Sequence, residues 1–338
     1  MARQSPFALP VDGFRNNIGN GSEYFAIVAL LKDCSRKKDL KRGAKLHVDI
    51  LRTGILQTNP YLASTLISMY AKCGVFRMAE EVHDMVLIRD IVSWNALIGG
   101  YAALGHNHEA INCFDRMQTE GFSPDAITFT CILKACGSAR EIEKGKQIHD
   151  EIVNRGLLKR DVVLGNALID MYVKCSLLAK AQQVLEILQV RNAISWSALI
   201  AGYAQHQQAH QALRCFEWMQ NEGFLPDAIT FTCILKACGT VRAINKGKEI
   251  HDEIVSRGFL ENDIVLGNSL VDMYCKCGML TKAQQVLEEL PMRNASSWSA
   301  LIVGYTENGQ GHKALNCFER MQSEGLSPDS ITFICILK

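Results

Sequence analysis

The sequence predicts an all-α fold in which helix–turn–helix units stack into a superhelical solenoid, and three observations predict it. Residues 126–137 (AITFTCILKACG) recur without change at 228–239, a displacement of 102 residues. Apolar residues recur through the chain at i, i+3, i+4 and i+7, the period of an amphipathic helix. Glycine and proline follow these stretches where helices of that length stop.

Composition agrees with that reading. The chain has 338 residues, 48% hydrophobic and 21% charged, which suits a folded protein with a large core and excludes a disordered one. No apolar run approaches the roughly 20 residues that span a bilayer, so no membrane partner is expected. The formal net charge of +1 gives no global attraction to nucleic acid, and any basic surface must come from local placement. Thirteen cysteines follow the repeat rather than a disulfide framework, which points to a reducing compartment. Segment 1–23 carries Arg3 and Arg15 beside Asp12 and Glu23, acidic residues that transit peptides avoid; it is expected to be disordered or a targeting remnant.

The displacement organises the rest. Trp94, Trp196 and Trp298 follow it, as do His47, His149 and His251, and residues 180–186 (KAQQVLE) recur at 282–288. Each block divides into three related pieces of 36, 31 and 35 residues. The 36-residue units are 24–59, 126–161 and 228–263; the 31-residue units are 60–90, 162–192 and 264–294; the 35-residue units are 91–125, 193–227 and 295–329. Residues 330–338 copy the start of a tenth unit and stop inside its first helix, so a truncated array is expected.

Two helices fit each unit. In 91–125, Trp94, Leu97, Ile98 and Tyr101 define one buried stripe, and Ala110, Cys113, Phe114 and Met117 define a second that ends at Gly121 before Pro124. Neither helix can bury its apolar face alone, so the units must stack.

At 100° per residue, positions 4, 7, 8 and 11 of the first helix share one azimuth, and positions 2, 5, 9 and 13 cluster roughly 140° away, on the face left for a ligand. Position 5 is small and polar at Ser64, Asn95, Thr130, Asn166, Ser197, Thr232, Asn268 and Ser299, and only Val28 departs. Such side chains can read a base edge or let helices approach closely, and spacing alone leaves both readings open. The same face carries Lys32, Arg36, Lys72, Lys134, Lys174, Lys236 and Lys276 against Asp170, Asp272 and Glu307, a net +4. That excess suits a phosphate backbone or a solvated lysine row. Every complete unit ends in Asp or Asn (Asn59, Asp90, Asp125, Asp161, Asn192, Asp227, Asp263, Asn294, Asp329), where the favoured role is to cap the next helix.

These residues resemble the pentatricopeptide repeat family, specifically its PLS type, over residues 24–338. Residues 93–125 (SWNALIGGYAALGHNHEAINCFDRMQTEGFSPD) are similar to the P motif, 128–156 to the L motif, and 165–175 (GNALIDMYVKC) to the S motif. The resemblance implies a right-handed α-solenoid and single-stranded RNA binding, in which the fifth and last residues of a unit select a base and the second sandwiches it. Asn95 with Asp125 would prefer U; Ser64 with Asp90, Ser197 with Asp227 and Ser299 with Asp329 would prefer G; Asn166 with Asn192 and Asn268 with Asn294 would prefer pyrimidines. Thr130 with Asp161 and Thr232 with Asp263 belong to L motifs, and their bases stay open. Val92, Ile127, Val163, Ile194, Ile229 and Val265 would form the sandwich, with Ser296 and Val28 as departures. Lys72, Lys134, Lys174, Lys236 and Lys276 are the phosphate-binding candidates. The implied target is 5′-G-U-N-Y-G-N-Y-G-3′ for residues 60–329. A monomer in a mitochondrion or chloroplast, specifying RNA editing or processing with proteins acting in trans, is the biological setting implied.

No catalytic residue, cofactor or metal is expected. The His-x-Glu and Pro-Cys-x-x-Cys segments of a zinc deaminase do not occur. Cys275 and Cys277 form a Cys-x-Cys, but Cys277 matches Cys73 and Cys175 by displacement and reads as a core position. His149, Asp150 and Glu151 recur as His251, Asp252 and Glu253, which favours a structural role over catalysis. The alternative function is a protein-binding helical scaffold, which would need aromatic and arginine anchors on the inner face.

Overall fold

A computed structural model describes residues 21–57, 59–159, 161–261 and 263–337. The segment expected to be disordered or a targeting remnant lies outside these residues, except that the first helix already begins at Gly21. Among the described residues the regular structure is helical throughout. The helices are α1 (Gly21–Lys37), α2 (Leu40–Thr53), α3 (Pro60–Lys72), α4 (Phe76–Met85), α5 (Ile91–Ala103), α6 (Asn107–Thr119), α7 (Ala126–Ala139), α8 (Ile142–Asn154), α9 (Val162–Lys174) and α10 (Leu178–Ile187). They continue with α11 (Ala193–Gln205), α12 (Ala209–Asn221), α13 (Ala228–Val241), α14 (Ile244–Ser256), α15 (Ile264–Lys276), α16 (Leu280–Glu289), α17 (Ala295–Glu307), α18 (Gly311–Ser323) and α19 (Ser330–Ile336).

The chain forms two compact units, 1–171 and 172–338. In the first, each odd-numbered helix packs against the next, α1 on α3, α3 on α5 and α5 on α7, while α4 and α6 fill the layer behind. In the second, α11, α13, α15, α17 and α19 pack in succession, backed by α12, α14, α16 and α18. The stripes read from the sequence are the core. Trp94, Leu97, Ile98 and Tyr101 are buried on α5, and Ala110, Cys113, Phe114 and Met117 on α6. Leaving water is what drives these faces together, at about 1.5–3 kcal/mol for each large side chain.

Close approach of the odd-numbered helices depends on glycine at three sites related by the displacement. A Cβ on Gly100 would fall 2.4 Å from the Ala71 Cβ, one on Gly202 would fall 2.8 Å from Val173, and one on Gly304 would meet the Cys275 Sγ.

Unit lengths have structural causes. The 31-residue pieces carry a ten-residue second helix (α4, α10, α16) where the others carry thirteen or fourteen residues. The 36-residue pieces add a 3₁₀ turn after the second helix, at Ile55–Gln57, Leu157–Lys159 and Phe259–Glu261, an element that helical periodicity alone did not indicate. Ion pairs tie successive hairpins together. Arg89 bonds Glu120 at 2.8 Å, Arg293 bonds Glu324 at 3.2 Å, and Arg191 pairs with Glu222 in the equivalent place.

Candidate nucleic-acid interface

The second residues of the odd-numbered helices face solvent although they are apolar. In the first unit Val92 is 49% exposed and Ile127 61%; in the second Ile194 is 64% and Ile229 67%. Val163 and Val265 are equally open. Apolar side chains held in water at the same position of successive helices leave surface to be covered by something else. Three residues outside the sequence-derived set share this register and exposure: Phe25, Tyr61 and Ile331. Counting from the start of each unit finds them, since the signal is positional. Ser296 is exposed as well, in place of an aliphatic residue.

Every unit-ending residue caps the helix that follows it. Side-chain oxygens of Asn59, Asp90 and Asp125 accept from the backbone amides of Leu62, Ser93 and Thr128, and Asp161 accepts from Leu164. Asn192, Asp227, Asp263, Asn294 and Asp329 accept from Ser195, Thr230, Leu266, Ser297 and Thr332. Each such cap contributes about 1 kcal/mol. Donation from the Thr332 backbone amide, and then from its hydroxyl, holds the Asp329 carboxyl below the usual carboxylate range.

The capping bond also fixes which atom of the side chain is left over. Asn294 must turn Oδ1 towards the Ser297 amide, at 3.0 Å, so its remaining group is the Nδ2 donor. In Asp125, Oδ1 takes the Thr128 amide at 2.8 Å and the remaining atom is the Oδ2 acceptor.

Position 5 is less exposed than position 2, and at Asn95, Asn268 and Ser299 it approaches the capping residue. Asn95 Nδ2 donates to the Asp125 carboxylate at 3.1 Å (Oδ1) and 3.2 Å (Oδ2). Asn268 Nδ2 donates to Asn294 Oδ1 at 3.4 Å, and Ser299 Oγ lies 3.5 Å from Asp329 Oδ1. Asn95, Thr130, Asn166, Ser197, Thr232 and Asn268 are half-buried, while Ser64 and Ser299 are buried. Spacing puts position 5 on the open stripe; the packing of neighbouring helices draws it inward, which accords with close helix approach as one reason for its small size. Thr130 differs: its hydroxyl donates to Ala126 O of its own helix at 2.8 Å, while Asp161 is engaged with the amides of Val163 and Leu164. Ser64 likewise donates to Tyr61 O, at 3.0 Å.

Lys72, Lys134, Lys174, Lys236 and Lys276 are exposed on the odd-numbered helices. Lys276 is paired with Asp272 at 2.7 Å, so its charge is offset in the free protein. Lys32 donates to the Tyr61 hydroxyl at 2.8 Å, and Arg36 pairs with Asp33 at 2.6 Å.

The clusters read as structural have structural contacts. His47 Nδ1 lies 2.9 Å from the Tyr70 hydroxyl and His251 Nδ1 2.9 Å from the Tyr274 hydroxyl, all four residues buried. Cys275 packs against Gly304, and Cys277 Sγ lies 3.9 Å from Met273 Sδ.

Two sequence models of the repeat match the chain: the PPR repeat family at 89–138, 191–240 and 293–338, and the PPR repeat at 62–91, 127–157 and 268–294, together more than half of its length. The chain belongs to the pentatricopeptide repeat family. A chloroplastic pentatricopeptide repeat-containing protein of Arabidopsis thaliana is 34% identical over 332 residues, covering 98% of this chain and 53% of the relative. A mitochondrial one from the same plant is 34% identical over 318 residues, covering 94% and 57%. This pentatricopeptide chain thus spans about half the length of the curated relatives it matches. Among solved structures, maize PPR10 superposes with a TM-score of 0.72 at 19% identity, over 88% of this chain and 43% of that one. PPR10 in complex with an 18-nt psaJ RNA element gives 0.71 at 18% identity, over 95% and 51%. The fold is therefore the pentatricopeptide α-solenoid.

Proposed function

We propose that this pentatricopeptide chain binds single-stranded RNA sequence-specifically, one nucleotide per hairpin, and serves as a specificity factor for organellar RNA editing or processing, with any catalysis supplied in trans. The observation that carries the reading is the bond from Asn95 to Asp125 between two exposed aliphatic residues, Val92 and Ile127. A base entering there finds apolar surface on either side and a polar edge at its end, which is how unpaired bases are recognised. Asn268 and Ser299 approach Asn294 and Asp329 in the same way, and the family resemblance extends the base-selecting role to Ser64, Asn166 and Ser197 with the residues that end their units. PPR10 holding an RNA element supports the ligand class, and the PLS reading supports the target 5′-G-U-N-Y-G-N-Y-G-3′. The chloroplastic and mitochondrial relatives support an organellar setting.

The test is a titration of the purified chain with that synthetic RNA at increasing salt. Affinity is expected to fall steeply as counterions compete, and duplex RNA of the same sequence is expected to compete poorly. Binding that ignores salt, or equal competition by duplex, would overturn the proposal in favour of a protein-binding scaffold.

A further inference from the structure

The third residue of the odd-numbered helices carries a buried hydroxyl at Ser93, Thr128, Ser195, Thr230, Ser297 and Thr332. Capping explains why a hydroxyl sits there: Thr128 Oγ1 accepts from the Asp125 backbone amide at 3.2 Å while Asp125 accepts from the Thr128 amide, a reciprocal box. Capping does not explain where the hydroxyl proton goes. Thr128 Oγ1 lies 2.6 Å from Asn95 Oδ1, on the preceding hairpin, and 2.9 Å from Asp125 Oδ1. The Asp125 oxygen is already served by the Thr128 amide and by Asn95 Nδ2, so the nearer Asn95 oxygen takes the proton.

The result is a closed ring of three side chains. Asn95 Oδ1 is held by Thr128, one Nδ2 hydrogen is held by Asp125, and the second hydrogen is left for a base. The ring recurs with different chemistry. Ser297 Oγ lies 2.5 Å from Asn268 Oδ1. Thr230 Oγ1 lies 2.6 Å from Asp227 Oδ1 and 2.7 Å from Ser197 Oγ; because the carboxylate can only accept, Thr230 donates to it and takes a proton from Ser197. Ser197 is then left with its lone pairs outward, an acceptor where Asn95 is a donor.

The chain also contains the negative case. After Thr130 and Thr232 the third position of the next helix is Leu164 and Leu266, both fully buried and without a hydroxyl. Thr130 donates to its own helix, and so does Ser64, whose following hydroxyl, Ser93, donates to Asp90 O instead.

Resting on the base-reading proposal above, we infer that Thr128, Thr230 and Ser297 are positioning residues for specificity. Each belongs to the hairpin after the one it serves and sets the donor or acceptor that position 5 offers to the RNA. They touch no nucleotide themselves. At these units a base is thus selected by three residues of the chain, and pairs without the tie, Thr130 with Asp161, Thr232 with Asp263 and Ser64 with Asp90, select weakly.

The experiment measures the affinity of the full chain for four synthetic RNAs that differ only at the second nucleotide of 5′-G-U-N-Y-G-N-Y-G-3′. It is run on the native chain, on Thr128→Val, which keeps shape and removes the hydroxyl, and on Thr128→Ser, which keeps the hydroxyl. Thr128→Val is expected to reduce the preference for U by about tenfold, the worth of one oriented hydrogen bond, and Thr128→Ser to restore it. Equal weakening of all four RNAs by Thr128→Val, or an undiminished preference, overturns the inference and leaves base reading by Asn95 and Asp125 standing. A native chain indifferent to the second nucleotide overturns both.

Discussion

His83 stands edge-on to Trp94 with ring centroids 4.2 Å apart, and both of its nitrogens, like the Trp94 indole nitrogen, are buried without a hydrogen-bond partner. The nearest carboxylate oxygen, on Asp84, is 3.6 Å from His83 Nδ1, too far to accept a hydrogen bond. The two later copies of this site resolve it differently. Leu185 and Leu287 replace the histidine, and Trp196 and Trp298 donate to Glu222 and Glu324 at 3.3 and 2.8 Å.

Restoring the later pattern with His83→Leu is expected to stabilise the fold by about 1 kcal/mol, since an unsatisfied buried group costs at least that much. The gain should grow on acidification. Burial first, then the charges of Arg89 and Arg116, hold the His83 imidazole below its ordinary 6.5. Below that pH the unfolded chain binds the extra proton and the folded one does not, so stability falls as pH drops. His47 and His251 are lowered by burial in the same direction, so a slope persists in the variant. Thermal unfolding of both proteins between pH 8 and roughly 5 measures it; parallel curves would refute the assignment to His83.

Gly100→Ala is expected to cost about 1–3 kcal/mol, because the new methyl meets the Ala71 methyl, which has no rotamer to give way. Gly311→Ala, which opens onto empty space, should leave the unfolding temperature unchanged or slightly raised. Denaturant midpoints of the two variants make the comparison.

Much of this was legible from sequence because the chain repeats itself. The buried stripes of α5 and α6 follow from spacing, and Asp or Asn at every unit end follows from what a helix start needs. The 3₁₀ turn at Leu157–Lys159 left no periodic trace, being too short to show a stripe. Position 5 was placed by azimuth alone, which locates a side chain around its own axis but says nothing of a neighbour; Ser299 is buried because α19 lies beside it. The tie from Thr128 to Asn95 joins residues 33 apart, and no local pattern reports it.

Asn95→Ser is expected to exchange a preference for U at the second nucleotide for one for G. Competition binding with RNAs differing at that nucleotide checks this. Retention of U would break the assignment of Asn95 and Asp125 while leaving general RNA binding intact.

Lys134 and Lys236 are exposed, and replacing each by Gln is expected to lower affinity for every RNA alike. Each substitution should flatten the salt dependence by about 0.7 in the log–log slope for single strands. A change in base preference, or no change in slope, would remove these lysines from the phosphate path.

Because the capping oxygen of each unit-ending residue is committed to the next helix, Asp and Asn are interchangeable there as far as folding is concerned: the clasp stays shut either way. What changes is the second atom of the side chain, oxygen or amide nitrogen, which at Asp125 also faces Asn95 Nδ2 at 3.2 Å. On the base reading proposed above, single substitutions at positions like Asp125 or Asn294 would re-address such an array to a new message while keeping the cap on the next helix.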